Sequence, residues 1–175
     1  TYCKNMLLSE EEIRELGKEE GISLWEIYSA YNRYLKQNSF MDYDDQMMYA
    51  LEILRRYAPI LEAFQMRYQY FCVDEAQDTS RIQHVIIRLL AGRSRNLFMV
   101  GDEDQSIYGF RAAYPEALLS FEKNHKGAKV LLMEENFRSN AKIVEAADKF
   151  IQKNTLRHEK HMKPAREAGT DIREI

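Results

Sequence analysis

Residues 71–80, FCVDEAQDTS, and residues 97–113, LFMVGDEDQSIYGFRAA, decide the fold. Each opens on a short apolar run, Phe71–Val73 and Leu97–Val100, that ends abruptly in carboxylates. A run of about four β-branched and aromatic residues bounded by polar ones reads as a strand buried on both faces. Between the runs, SRIQHVIIRLLAG places Ile82, Val85, Ile86, Leu89 and Leu90 at helical spacing, with Gly92 as the stop. Strand, helix, strand with a right-handed crossover makes the two strands parallel. Asp74, Glu75, Asp102 and Asp104 are then expected along one carboxyl edge of one sheet, where open α/β sheets hold their ligands.

The 175 residues suit one modest domain with its own core, or a piece of a larger protein. At 45% hydrophobic and 30% charged, the composition is that of a globular chain, and no apolar run of about 18 residues offers a membrane-spanning helix. No secretory signal is read at Thr1. A net charge of −3 gives no global attraction for nucleic acid, so any DNA binding must come from a local groove. Cys3 and Cys72 are the two cysteines. Cys72 falls inside the first strand as a small apolar core residue, which fits a reducing cytoplasm.

Upstream, Ser9 with Glu12 and Ser23 with Glu26 have capping-box spacing, which predicts helices over about 9–20 and 23–37. The second carries Leu24, Ile27, Tyr28, Tyr31, Tyr34 and Leu35, a stripe expected to pack on a neighbouring helix or, with Arg33 and Lys36, to face nucleic acid. A third helix follows Phe40, with Asp42 or Asp44 at its positive end and Arg55 and Arg56 near its last turn. Pro59 starts a fourth.

Downstream, a helix is expected from Pro115 to about Lys123, an apolar strand over Val130–Met133, and a helix to about Lys153 capped by Ser139 or Asn140. Ile143, Val144, Ala147 and Ile151 are its expected inward face, and a short strand is read near Ile172. His158 and His161 are too few ligands for zinc, and His84 and His125 carry no pattern.

DEAQD at 74–78, QSIYGFRAA at 105–113 and NFRS at 136–139, in this order, resemble the UvrD/Rep group of superfamily 1 DNA helicases, from about Phe40 to about Arg157. The resemblance implies an α/β fold with a partial RecA-like motor domain, a parallel sheet flanked by helices, behind an N-terminal helical segment. Residues 1–38 would end an inserted helical subdomain, 39–128 would form the later half of the first motor domain, and 129–175 would begin the second. The change of composition near Gly127 marks that last boundary.

By the same resemblance, ATP and magnesium are the cofactors. Asp74 would hold magnesium through water, and Glu75 would contact the metal site while orienting or deprotonating the attacking water. Gln77 and Asp78 would link the nucleotide site to neighbouring motifs. Gln105 would sense the γ-phosphate, Arg138 would reach it from the second motor domain, and Phe137 would pack on the adenine. Tyr108, Phe110 and Arg111 would lie on the DNA side. The DYDD segment, with Tyr43, resembles a motif near the DNA path, while Asp42, Asp44 and Asp45 read equally as helix caps. Ala112 stands where the family has glycine, a change tolerated unless its φ is positive.

GxxxxGK[ST] does not occur in the sequence, so the chain alone is expected not to turn over ATP. The intact parent is expected to be a helicase moving 3′ to 5′ on single-stranded DNA and unwinding duplex junctions in repair, replication or recombination. Its partners would be DNA, the remainder of the parent and repair or recombination proteins, and an incomplete sheet would need a partner or swapped strand. The motor of a helicase-nuclease and a non-hydrolysing module that binds DNA or protein are the rival readings.

Overall fold

A computed structural model describes residues 1–168, the Arg111 side chain excepted. The strand read near Ile172 lies outside the described residues. Contacts divide the chain into two compact units, Thr1–Leu118 and Leu119–Ile175.

The first unit begins with α1 (Tyr2–Asn5), α2 (Glu10–Glu19) and α3 (Leu24–Gln37). Ser9 caps α2 as its spacing predicts: the hydroxyl accepts from the Glu12 amide at 3.3 Å, and the Glu12 carboxylate accepts from the Ser9 amide at 2.7 Å. The same spacing at Ser23 builds no box. Ser23 has ψ 64° and makes no side-chain cap bond, and Glu26 is held by Arg14 at 2.7 Å.

The α3 stripe is covered on one side only. Leu24, Tyr28 and Leu35 are half-buried, whereas Ile27, Tyr31 and Tyr34 are 59%, 46% and 57% exposed. The expectation that the whole stripe packs is corrected, because α2 is ten residues long against the fourteen of α3 and lies along one flank.

Two further helices, α4 (Tyr43–Arg56) and α5 (Ala58–Arg67), follow as expected. Asp42 and Asp45 close a capping box on α4 at 2.7 and 3.1 Å, with Arg55 and Arg56 in its last turn. Pro59 lies in the first turn of α5. Then come β1 (Phe71–Val73), α6 (Arg81–Ala91) and β2 (Leu97–Met99), and α6 packs on α1, α4 and α5. Gln65 Nε2 donates to the Leu89 carbonyl at 2.8 Å and ties α5 to α6. Leu51, Leu54, Ile82 and Ala91 fill the buried centre. Gly92 ends α6 with helical φ, and the left-handed turn falls at Arg95.

Strands β1 and β2 are parallel, with Phe71 opposite Leu97, Cys72 opposite Phe98 and Val73 opposite Met99. Burial alternates: Cys72 and Phe98 are exposed, and their neighbours are half-buried. The readings of strands buried on both faces and of Cys72 in the core are both corrected. One face of the two-stranded ribbon is half-buried, and among the described residues its other face, with Cys72 and Phe98, is exposed.

Beyond β2, the helix expected from Pro115 to Lys123 is two short ones, α7 (Glu116–Leu119) and α8 (Phe121–Asn124), broken at Ser120. The Ser120 hydroxyl accepts from Asn124 Nδ2 at 2.8 Å, and the Asn124 amide donates to the Ser120 carbonyl at 2.9 Å, so Ser120 begins α8. The second unit holds β3 (Glu135–Asn136), α9 (Ala141–Ile151) and β4 (Lys163–Pro164), with β3 and β4 parallel. The strand expected at Val130–Met133 does not form. Those residues are exposed, and the ladder bonds run instead from Lys163 N to Glu134 O and from Ala165 N to Asn136 O. Asn140 caps α9 at 3.2 Å. Of its expected inward face, Val144 is buried and Ile151 half-buried, whereas Ile143 and Ala147 are exposed.

Helices with small parallel sheets make this an α/β fold. Among the described residues no helix is long and apolar enough to cross a membrane.

Candidate functional site

Parallel pairing brings the ends of β1 and β2 to one edge, and the ladder continues past both strands. Val100 N donates to Val73 O at 2.8 Å, and Ala76 N donates to Val100 O at 2.9 Å. The chain then turns at Glu75, which is left-handed at φ 46°, ψ 44°. Such a conformation costs a side-chain-bearing residue about 1 to 2 kcal/mol. Its surroundings hold it there: Asp74 Oδ1 accepts from the Glu75 amide at 2.9 Å, Ala76 is fully buried, and the Thr79 hydroxyl donates to Ala76 O at 2.7 Å. Asp74 and Glu75 are thereby fixed in backbone while their side chains stay exposed.

Gln77, 1% exposed, lies beneath them. Its Nε2 donates to Glu75 Oε2 at 2.8 Å, and its Oε1 accepts from the Asp102 amide at 3.0 Å. Ser106 Oγ donates to its main-chain oxygen at 3.3 Å. Gly101 makes room for this carboxamide, because a Cβ there would stand 2.7 Å from Gln77 Oε1 and 2.7 Å from Leu118 Cδ1. Asp102 Oδ2 in turn accepts from Gln105 Nε2 at 2.8 Å. The two motifs are therefore stitched together through side chains as well as through the sheet.

Asp78 lies beside this edge, with Oδ1 buried and without a hydrogen-bond partner among the described residues. His84, which has no pattern in the sequence, reaches back from α6 to the Thr79 hydroxyl. Burial lowers its imidazole pKa, against the opposing pull of the Ala76 carbonyl, so the ring is neutral near pH 7. It braces the turn that carries Glu75.

Past Gln105 the chain exposes Ile107 (73%), Tyr108 (38%) and Phe110 (72%), the two rings 5.9 Å apart. Arg111 ends the same short 3₁₀ turn, Gly109–Arg111. Ala112 follows at φ 65°, ψ 34°, left-handed and fully buried. The backbone here is thus the glycine-favouring kind, and alanine occupies it. Tyr43, the first residue of α4, is 88% exposed.

Phe137 and Arg138 belong to the second unit, where both are exposed. Asn136 Oδ1 accepts from the Arg138 and Ser139 amides at 3.0 and 2.9 Å, which shapes the NFRS turn between β3 and α9. His161 pairs with Asp148 at 3.0 Å.

Asp74 and Glu75 suit magnesium. A rigid strand end presents two exposed carboxylates, and magnesium keeps several waters and takes phosphate oxygens rather than filling a protein cage. Among the described residues no cluster of three or more His, Cys, Asp or Glu forms such a cage. The resemblance implies a linking place for Gln77 without naming its partner Asp102, and sequence reading missed the bracing by His84, which has no pattern although it lies near Thr79 in the chain.

A carboxylate edge of this build defines a class, and the comparison with known families gives it a name. The model described as the UvrD/REP helicase N-terminal domain matches residues 1–126, and the chain belongs to that family. It is 40% identical over 146 residues to the ATP-dependent DNA helicase PcrA of Staphylococcus aureus, covering 83% of this chain and 20% of that protein. The same figures hold for the ATP-dependent DNA helicase PcrA of Staphylococcus epidermidis. The chain spans about a fifth of the length of these curated relatives.

Proposed function

We propose that this chain is part of an ATP-dependent DNA helicase that couples magnesium-dependent ATP hydrolysis to 3′ to 5′ movement on single-stranded DNA and to unwinding at duplex junctions, in repair, replication or recombination. One observation carries the reading: the parallel β1–β2 pair sets Asp74 and Glu75 on the same edge as Asp102 and Gln105. Membership in the helicase family supports it.

In this reading Asp74 holds magnesium through water, and Glu75, beside the metal, orients the attacking water and takes its proton. Gln105 meets the γ-phosphate, Asp78 supports the edge, and magnesium offsets the phosphate charge. Arg138 adds positive charge to the phosphate, a contribution of about 10³ to 10⁵ in turnover for an arginine finger, and Phe137 packs on adenine. Tyr108, Phe110 and Arg111 take the DNA strand, with Tyr43 as a further contact. Base stacking worth about 1 to 3 kcal/mol grips a strand and still releases it, as stepping requires. The two cysteines, neither in a disulfide, fit a cytoplasmic enzyme.

The test is ATP hydrolysis by the full-length polypeptide with magnesium, with and without single-stranded DNA. Strong stimulation by DNA is expected, and Glu75→Gln should abolish turnover while leaving nucleotide binding intact. Full turnover by Glu75→Gln would remove Glu75 from its role. No turnover in the unmutated protein, with DNA or partner binding retained, would leave a module that only binds.

A further inference from the structure

We infer that Asp148 is a positioning residue for Arg138, acting through the segment 160–165 that it pins between β3 and α9. The inference rests on the helicase reading, which gives Arg138 its place at the γ-phosphate. It adds what holds the turn of that arginine in shape.

Phe137, Arg138, Ser139 and Asn140 connect β3 to α9. A reactive group on a loop is placed by the scaffold that holds the loop's ends. The segment after α9 is bonded to both ends. Its consecutive amides alternate between them: His161 N donates to Glu134 Oε1 at 3.4 Å, Met162 N to Asp148 Oδ1 at 2.9 Å, and Lys163 N to the Glu134 carbonyl at 2.6 Å. Lys163 Nζ adds a bond to Glu134 Oε2 at 3.1 Å, and Ala165 N donates to the Asn136 carbonyl at 3.0 Å. The side chain of that same Asn136 accepts from the Arg138 and Ser139 amides.

Asp148 suits this place because an ionised carboxylate only accepts. Its Oδ1 takes Met162 N and, at 3.2 Å, Gln152 Nε2, while its Oδ2 faces His161 Nδ1 at 3.0 Å. Gln152 Nε2 also stands 3.1 Å from that ring nitrogen, but its two hydrogens serve Asp148 Oδ1 and the Lys160 carbonyl at 3.0 Å, and its Oε1 accepts from Arg157 at 2.9 Å. The His161 ring nitrogen is therefore the donor to Asp148. That bond, followed by the one from Met162, holds the Asp148 carboxyl below its ordinary pKa, so the group is charged at neutral pH. Without it, the segment keeps its bonds to β3 and loses those to α9. The two ends of the Arg138 turn are then no longer held at one separation.

The experiment compares Asp148→Ala, Asp148→Asn and His161→Ala in the full-length polypeptide, measuring kcat for ATP with magnesium and single-stranded DNA. Asp148→Ala is expected to lower kcat about 10- to 100-fold, the scale of a misplaced reacting group. Asp148→Asn keeps an oxygen for Met162 N and can turn its NH₂ to the His161 ring nitrogen, so it should recover most of the loss. His161→Ala removes one donor at a position 62% exposed and should give a smaller loss in the same direction. In an Arg138→Ala background, Asp148→Ala should cost no further turnover, because the group it places is gone. In this chain, where no turnover is needed, Asp148→Ala should move the backbone amide resonances of Arg138 and Ser139 by NMR and leave that of Glu75 in place. If Asp148→Ala does not fold, His161→Ala carries both the double-variant and the resonance readings. Losses that multiply in the double variant, an Asn variant as poor as the Ala one, or unmoved Arg138 and Ser139 amides would overturn the proposal. Absence of turnover in the unmutated protein would instead sink the helicase reading, so the two failures are distinct.

Discussion

Lys4 Nζ lies 2.8 Å from Asp42 Oδ2, and the lysine side chain is 4% exposed. Asp45 Oδ1 stands 2.7 Å from the same ammonium, and the Tyr31 hydroxyl donates to Asp42 at 3.0 Å. Asp44 accepts from Asn5 Nδ2 at 3.0 Å. The carboxylates of DYDD therefore cap α4 and bind α1 and α3 to it, while Tyr43 between them points its surface to solvent. Burial raises the Asp42 pKa, but the Lys4 ammonium, the Asp45 amide and the Tyr31 hydroxyl outweigh it and hold the group at about 2. A depressed folded-state pKa gives stability that is complete above the ordinary value of 3.8 and lost as pH falls through about 2. The loss should approach about 2 kcal/mol, read as a drop in urea midpoint between pH 5 and pH 2 that Asp42→Asn flattens. Lys4→Met should cost about 3 kcal/mol at neutral pH, because two facing carboxylates lose their counter-charge, and less in acid.

At Ala112 the left-handed backbone makes a ranking testable. Ala112→Gly relieves about 1 to 2 kcal/mol of backbone strain and gives up about 0.8 kcal/mol of buried methyl. Its stability should stay within about 1 kcal/mol of the native chain. Ala112→Val places a β-branched residue at φ 65° in a fully buried position and should cost about 3 kcal/mol or more. Thermal midpoints in the order Gly at or above Ala, and Val far below, would verify it. A native-like Val variant would contradict the left-handed turn.

Gly101→Ala tests the packing under the carboxylate edge. The new methyl would meet Gln77 Oε1, Leu118 Cδ1 and, at 3.2 Å, the Ala76 amide. Overpacking of this kind should lower stability by about 1 to 3 kcal/mol in urea unfolding.

Phe110→Ala removes a ring that is 72% exposed and carries no core. Folding stability should change by less than about 0.5 kcal/mol. Affinity of the full-length polypeptide for single-stranded DNA should fall by about 1 to 3 kcal/mol, measured by fluorescence anisotropy, while basal ATP hydrolysis without DNA persists.

The strand–helix–strand unit was legible because Ile82 through Leu90 repeat with helical period and both flanking runs stop at acids, signals that need no partner. Cover is a different matter. Cys72 and Phe98 read as buried from their neighbours in sequence, yet burial depends on whether a second layer arrives. Ser9 and Ser23 have identical spacing to a glutamate, and only the first caps, because Arg14 takes Glu26 from the second. Val130–Met133 has strand composition but, among the described residues, no strand opposite it. The acidic edge was likewise expected from Asp74 and Asp102, whereas the bridge through Gln77 exists only once β1 and β2 are side by side. Ala112 shows the limit in the other direction: a residue that disfavours positive φ gives no local sign of it.

The open face of the β1–β2 ribbon also provides a reporter. Cys72 is exposed there, with Phe98 beside it and Asp74 two residues away. Alternation along a strand sends Cys72 to the opposite face from its two neighbours, away from the half-buried side. A thiol-directed label at Cys72 would register cover arriving over the ribbon as slower alkylation, on the strand face that alternation shares with position 74.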